Sequence, residues 1–105
     1  VPEVGPSELA AELRGPNAPM LLDVREDEER EISVLEGDVH IPMAELLDRL
    51  DELDRTANMV VYCRTGNRSA RVTAYLLARG FTNVRNLAGG INEWARLVDP
   101  SLRTY

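Results

Sequence analysis

At 105 residues the chain is long enough for one hydrophobic core and too short for two. Its net charge of −6, with twelve arginines and no lysine, argues against a general nucleic-acid surface. No apolar run approaches membrane-spanning length, nothing resembles a signal peptide, and one cysteine excludes an internal disulfide framework and fits a reducing, cytoplasmic setting.

In chain order, Glu3-Val4 reads as a short edge strand. Gly5-Pro6-Ser7-Glu8 opens a helix whose first turn suits Pro6 and whose buried side carries Leu9 and Leu13. Gly15-Pro16-Asn17-Ala18-Pro19 breaks it. Met20 to Arg25 is a near-continuous apolar run ending in Asp23-Val24-Arg25, the pattern of a central parallel strand reaching the carboxyl edge of a sheet. The acidic run from Glu26 to Glu31 predicts the solvated face of a short helix. Val39-His40-Ile41-Pro42 is another short strand, stopped by its proline. His40 has no second ligand type beside it and reads as structural, so no metal site is expected. Met43 to Arg55 predicts an amphipathic helix, with Leu46, Leu47, Leu50 and Leu53 inward and Asp48, Arg49, Asp51, Glu52 and Asp54 outward.

Met59 to Tyr62 has the β-branched and aromatic content of a buried strand, and it delivers Cys63 into the loop Arg64-Thr65-Gly66-Asn67-Arg68. Ser69 to Arg79 then reads as a helix with Val72, Leu76 and Leu77 on one side and Gly80 as its C-terminal cap. Phe81 to Leu87 holds the last strand, and Ala88-Gly89-Gly90 makes a tight turn. Ile91, Trp94, Ala95 and Val98 recur at helical spacing, and residues 99–105 form a tail. Alternation of strand and helix without repeats predicts one α/β domain over residues 1–105, a parallel sheet covered on both faces. Such sheets bind ligands where strands end, and both Asp23-Val24-Arg25 and Cys63 fall there.

The chemistry concentrates at Cys63. A cysteine between a strand end and a helix start sits where loop N–H groups converge and the helix adds partial positive charge; Arg64, Arg68 and Arg71 add full charges. This setting favours thiolate over thiol and predicts a nucleophile with a depressed pKa. Four residues separate Cys63 from Arg68. A loop that encircles phosphate or arsenate needs one more, so this smaller cradle suits one extra sulfur on the cysteine. The plainer alternative is an inert core cysteine beside a solvated helix start.

Cys63-Arg-Thr-Gly-Asn-Arg68-Ser69 resembles the six-residue active loop of the rhodanese, or sulfurtransferase, family. Leu21-Leu-Asp-Val-Arg25-Glu26 resembles that family's first buried strand, and Gly89-Gly90-Ile-Asn-Glu-Trp94 its closing Gly-Gly-x-x-x-Trp. The resemblance implies about five parallel strands and a persulfide on Cys63, with no cofactor. The segment Ile32 to Leu46 departs from the Gly-His-Ile-x-Gly-Ala common in stand-alone members. It and the ending Trp94 to Tyr105 are more similar to the C-terminal rhodanese domain fused to adenylyltransferases of molybdopterin and thiamine biosynthesis. An excised C-terminal domain is therefore the expected origin.

The resemblance implies that Cys63 takes sulfane sulfur from thiosulfate or from a protein persulfide such as that of a cysteine desulfurase. The N–H groups from Arg64 to Ser69 would surround the terminal sulfur, while Arg64 and Arg68 attract the anionic donor and Thr65, Gly66 and Asn67 set loop shape. Asn67 is able to take a left-handed backbone geometry. The acceptor would be cyanide in the test tube, or the activated C-terminus of a ubiquitin-like sulfur carrier. Asp23 and Arg25 read either as a catalytic pair or as an ion pair bracing the strand end; bracing is favoured, since a carboxylate touching the persulfide would oppose its charge. Four alternatives stay open: a stand-alone thiosulfate:cyanide-type sulfurtransferase, a non-catalytic rhodanese-like interaction module, a phosphatase relative, and a redox sensor lacking an in-chain resolving cysteine.

Overall fold

A computed structural model describes residues 1–105. Five strands, β1 (Glu3–Val4), β2 (Met20–Asp23), β3 (Val39–His40), β4 (Met59–Tyr62) and β5 (Val84–Leu87), form one parallel sheet in the order β1-β5-β4-β2-β3. Three α-helices, α1 (Pro6–Leu13), α2 (Asp27–Arg30) and α3 (Asn67–Ala78), and a 3₁₀ segment (Met43–Glu52) connect them, and α4 (Gly90–Leu97) follows β5. The expected α/β architecture is what is found.

Strand pleating explains the two cores. Met59 and Val61 of β4 point to one face, where they join Leu22, Val24 and Val84 beneath Leu46, Leu50, Val72 and Leu76. Val60 and Tyr62 point to the other, against Leu9, Ile91 and Trp94. All four β4 residues are buried, the pattern of a strand covered on both sides. With β4 in the middle of the sheet, Cys63 emerges at the centre of the carboxyl edge. The register sets Asp23 opposite both Tyr62 and His40, so three strand ends lie level there.

One predicted element is built differently. Met43 to Glu52 winds as tight 3₁₀ turns, broken at Arg49 (φ −122°, ψ 15°), where the chain leaves helical geometry. Acids crowd its C-terminal end at Asp48, Asp51 and Glu52, where a helix dipole disfavours them. The break resets the helical phase. Leu46 before it and Leu50 and Leu53 after it turn inward, whereas Leu47, expected on the same side, is 61% exposed. The helix predicted from Ser69 also starts earlier, at Asn67.

Leu76→Ala, deleting a fully buried side chain under the central strands, is expected to cost about 2–5 kcal/mol in chemical denaturation. Leu47→Ala should fall within about 0.5 kcal/mol of the parent. Equal losses would show that Leu47 packs inward after all.

Candidate active site

Cys63 is 1% exposed, and its Sγ is the focus of the loop that follows. Sγ accepts from the backbone N–H of Gly66 at 3.1 Å and of Ser69 at 3.4 Å, with the Ser69 hydroxyl at 3.3 Å. The loop reverses at Gly66, whose φ of +99° a side chain rarely adopts. A Cβ there would also press on the Gly89 nitrogen at 3.2 Å. Every residue of positive φ is a glycine. Asn67, which is able to take that geometry, is instead the first residue of α3, because Gly66 has already made the turn.

The opposite wall is α4. Its first amides donate to the loop's carbonyls, Ile91 to Cys63 at 2.9 Å and Asn92 to Arg64 at 3.1 Å. Gly90 makes this approach possible. A Cβ on Gly90 would stand 2.3 Å from the Arg64 carbonyl oxygen, a distance no packed side chain tolerates.

Burial pushes the Cys63 thiol up. The Ser69 hydroxyl and the amides of Ser69, Gly66 and Thr65 together outweigh burial and leave it below an ordinary thiol. The Ser69 hydroxyl has a single proton and two neighbours that want it, Sγ and the Asn86 side-chain oxygen. Given to Asn86, the proton leaves a lone pair toward sulfur that suits a neutral S–H. Turned to sulfur, it stabilises an anion. Asn86, buried on β5, also donates from its amide to the Gly66 carbonyl at 3.2 Å and so ties the loop to the sheet.

Around this cradle lies a network of charges. Asp23 and Arg25 are both fully buried and paired, Nε to Oδ1 and Nη2 to Oδ2 at 3.0 Å. Oδ1 also takes the Arg25 backbone N–H and Oδ2 takes Arg30, so both oxygens of Asp23 are already engaged. Arg25 further donates to the Ser33 carbonyl at 2.7 Å and the Tyr105 hydroxyl at 3.0 Å. His40 donates through Nε2 to the Arg25 carbonyl at 2.6 Å, which fixes that ring nitrogen as protonated.

Arg68 does not point freely at the cysteine. Both its Nη atoms donate to Glu29 at 2.8 Å. Glu29, read from sequence as part of a solvated acidic face, also accepts the Tyr105 hydroxyl at 2.6 Å and the Glu26 backbone N–H at 2.8 Å. Arg68 holds the Glu29 carboxyl down at about 2; burial opposes this and Tyr105 assists. Tyr105 is anchored by two hydrogen bonds between its main chain and the Asn92 side chain, and it offers its ring to Arg64 at 5.0 Å. Arg64 is exposed and meets no carboxylate, so it is the cation left available on the loop itself.

Sequence reasoning placed Cys63, Gly66, Ser69, Asp23 and Arg25 on one edge, and they are together. It missed Glu29, Asn86 and Tyr105. Asn86 carries a legible signal, a polar residue on the same face as Val84 in a buried strand. Glu29 is indistinguishable within its acidic run, and Tyr105 gains meaning only from where the tail lies.

Residues 5–97 match the family profile described as Rhodanese-like domain. The chain is 33% identical over 96 residues to a protein of Allochromatium vinosum named Sulfurtransferase, covering 91% of this chain and 90% of that one. It is 36% identical over 94 residues to the "Adenylyltransferase and sulfurtransferase UBA4" of Meyerozyma guilliermondii, covering 82% of this chain but only 22% of that longer protein. Among solved structures, a rhodanese-like domain protein from Staphylococcus aureus superposes with a TM-score of 0.86 at 28% identity, covering 100% of this chain and 99% of that one.

Two outcomes are expected. The pH profile of Cys63 alkylation should inflect below an ordinary thiol's roughly 8.5, and Ser69→Ala should move the inflection upward because the thiolate loses a donor. An unmoved inflection would mean the hydroxyl stays on Asn86. Because Glu29 is held below its unfolded value, its pair with Arg68 contributes stability above about pH 4.3, lost as pH falls through about 2. Urea unfolding of Glu29→Gln should accordingly lose about 1–3 kcal/mol near neutrality and show a flatter acid limb than the parent.

Proposed function

The chain belongs to the rhodanese-like domain family, and we propose that it transfers sulfane sulfur, carrying it as a persulfide on Cys63. The observation that carries this reading is the convergence of the Gly66 and Ser69 amides and the Ser69 hydroxyl on Sγ. Donors aimed at the cysteine's own sulfur suit a thiolate and, one bond further out, a terminal persulfide sulfur. They act as an oxyanion hole does.

With thiosulfate as donor, the Cys63 thiolate attacks the outer sulfur. A new S–S bond forms at Cys63, the S–S bond of thiosulfate breaks, and its electron pair leaves with sulfite. The terminal sulfur of the persulfide then passes to an acceptor; cyanide becomes thiocyanate and the electron pair of the cleaved bond returns to the Cys63 thiolate. A protein persulfide would deliver sulfur in the same way, its own thiolate departing. Arg64 is the guanidinium best placed to draw an anionic donor, because Arg68 spends its charge on Glu29. Asp23 and Arg25 brace the strand end under the loop, their hydrogen-bonding groups directed at each other.

The similarity to UBA4 supports the activated C-terminus of a ubiquitin-like sulfur carrier as the acceptor. The similarity to a sulfurtransferase that the match covers to 90% supports a stand-alone thiosulfate:cyanide-type sulfurtransferase equally.

Exposure to thiosulfate should add one sulfur to the intact protein by mass spectrometry, mapped to Cys63, and cyanide should remove it as thiocyanate. Cys63→Ser should abolish both while leaving the circular dichroism spectrum unchanged. Thiocyanate formation that survived this change would dismiss Cys63 as the carrier.

A further inference from the structure

Charge is unevenly distributed along this acidic chain. Residues 55–92 contain six arginines and no aspartate or glutamate. Two of the six, Arg68 and Arg85, meet carboxylates at Glu29 and Glu12. Arg71 and Arg79 do not, and both lie along α3 or at its end, with Tyr75 between them at four-residue spacing. They therefore share one side of that helix.

That side faces a groove of about 330 Å³. Arg71, Tyr75 and Arg79 form one wall. Met43 and Leu47 form the other, and Val72 lies at the base. Leu47 is 61% exposed and Met43 38%, so the reset phase of the 3₁₀ segment leaves apolar surface uncovered here. The Tyr75 hydroxyl is buried without a hydrogen-bond partner. The upper end of the groove adjoins the active edge: Arg71 is two residues past Ser69, and the Met43 amide bonds the Val24 carbonyl at the end of β2.

We propose that this groove docks a short acidic-apolar segment of the protein that exchanges sulfur with Cys63. Charge complementarity selects the occupant. Arg71 and Arg79, eight helical residues apart, present two positive charges about 12 Å from each other. Carboxylates four residues apart on an extended peptide span about 13 Å. Apolar side chains between them meet Met43, Leu47 and Tyr75. A nucleic acid fits less well, because its continuous charge would meet the acids that dominate the rest of this −6 chain. The identity of the partner as a sulfur donor or acceptor rests on the persulfide reading; the binding site does not.

The test titrates the ¹⁵N-labelled chain with a capped peptide Asp-Leu-Ala-Leu-Glu, with its Lys-Leu-Ala-Leu-Lys counterpart, and with an oligothymidylate. The acidic peptide should shift the amides of Leu47, Tyr75 and Arg79 saturably. Arg79→Glu and Leu47→Ser should each weaken it by roughly fivefold or more, and the lysine peptide and the oligonucleotide should leave those amides unmoved. The proposal is overturned by absence of saturable shifts up to about 5 mM peptide, by shifts lying elsewhere, or by equal binding of the lysine peptide or oligonucleotide. It is also overturned by a concentration-dependent dimer that Leu47→Ser dissolves, since a second copy would then own the groove. Leu47→Ser and Arg79→Glu should keep parental thiosulfate:cyanide turnover, which also reports that they fold. Peptide binding by a parent unable to accept sulfur from either thiosulfate or a low-molecular-weight persulfide would refute the persulfide reading and leave the groove standing.

Discussion

The sulfur of Cys63 lies where water scarcely reaches, so any negative charge on it must be held by hydrogen bonds, and the elements around it are arranged to supply them. An unpaired buried charge costs several kcal/mol, whereas each hydrogen bond to a charged acceptor returns about 1.5–3 kcal/mol. Two amides and a hydroxyl placed within 3.1–3.4 Å of Sγ therefore offset much of the cost of an anion, provided that they cannot turn away. Gly66 in left-handed geometry sets their direction, α4 grips the loop's first two carbonyls through the opening at Gly90, and Asn86 fixes the Gly66 carbonyl from below. Remove any of these restraints and the same donors find solvent.

Six arginines of the twelve are matched to carboxylates, and the matching divides their roles. Arg25 and Arg30 converge on Asp23 and hold the end of β2. Arg68, which loop spacing alone would send to the substrate, is committed to Glu29 and through it to Tyr105. The positive field that a diffusing anion meets comes instead from unmatched cations, Arg64 at the loop mouth and Arg71 and Arg79 along α3. The acidic remainder of the chain repels large polyanions, so attraction is confined to the edge that carries Cys63 and to the neighbouring side of α3.

Much of this was legible from residues alone. Alternating apolar strands and helices dictate a parallel α/β sheet, and the short span from Cys63 to Arg68 dictates a small cradle, because pleating, helical period and loop reach are local properties of the chain. Where local signals conflict, they mislead. The leucines of Met43 to Glu52 scan as one amphipathic face, yet the break at Arg49 brings Leu50 and Leu53 to the side of Leu46 and leaves Leu47 outward. Asn67 and Gly66 both tolerate left-handed backbone, and the wide φ of +99° together with the crowding against Gly89 explains the use of the glycine.

By itself, then, the sequence determined the layer architecture, the position of the nucleophile at a strand end and the donors nearest to it, all consequences of residues close together in the chain. Tertiary structure alone decided that Glu29 claims Arg68, that Asn86 competes for the Ser69 proton, that Tyr105 stacks beside Arg64 and that Leu47 stays uncovered. The first three depend on groups 17 to 41 residues apart. No periodicity or spacing encodes which distant partner a charge or hydroxyl will meet, because that is settled only when the packed layers bring strand ends, loop and tail to one edge.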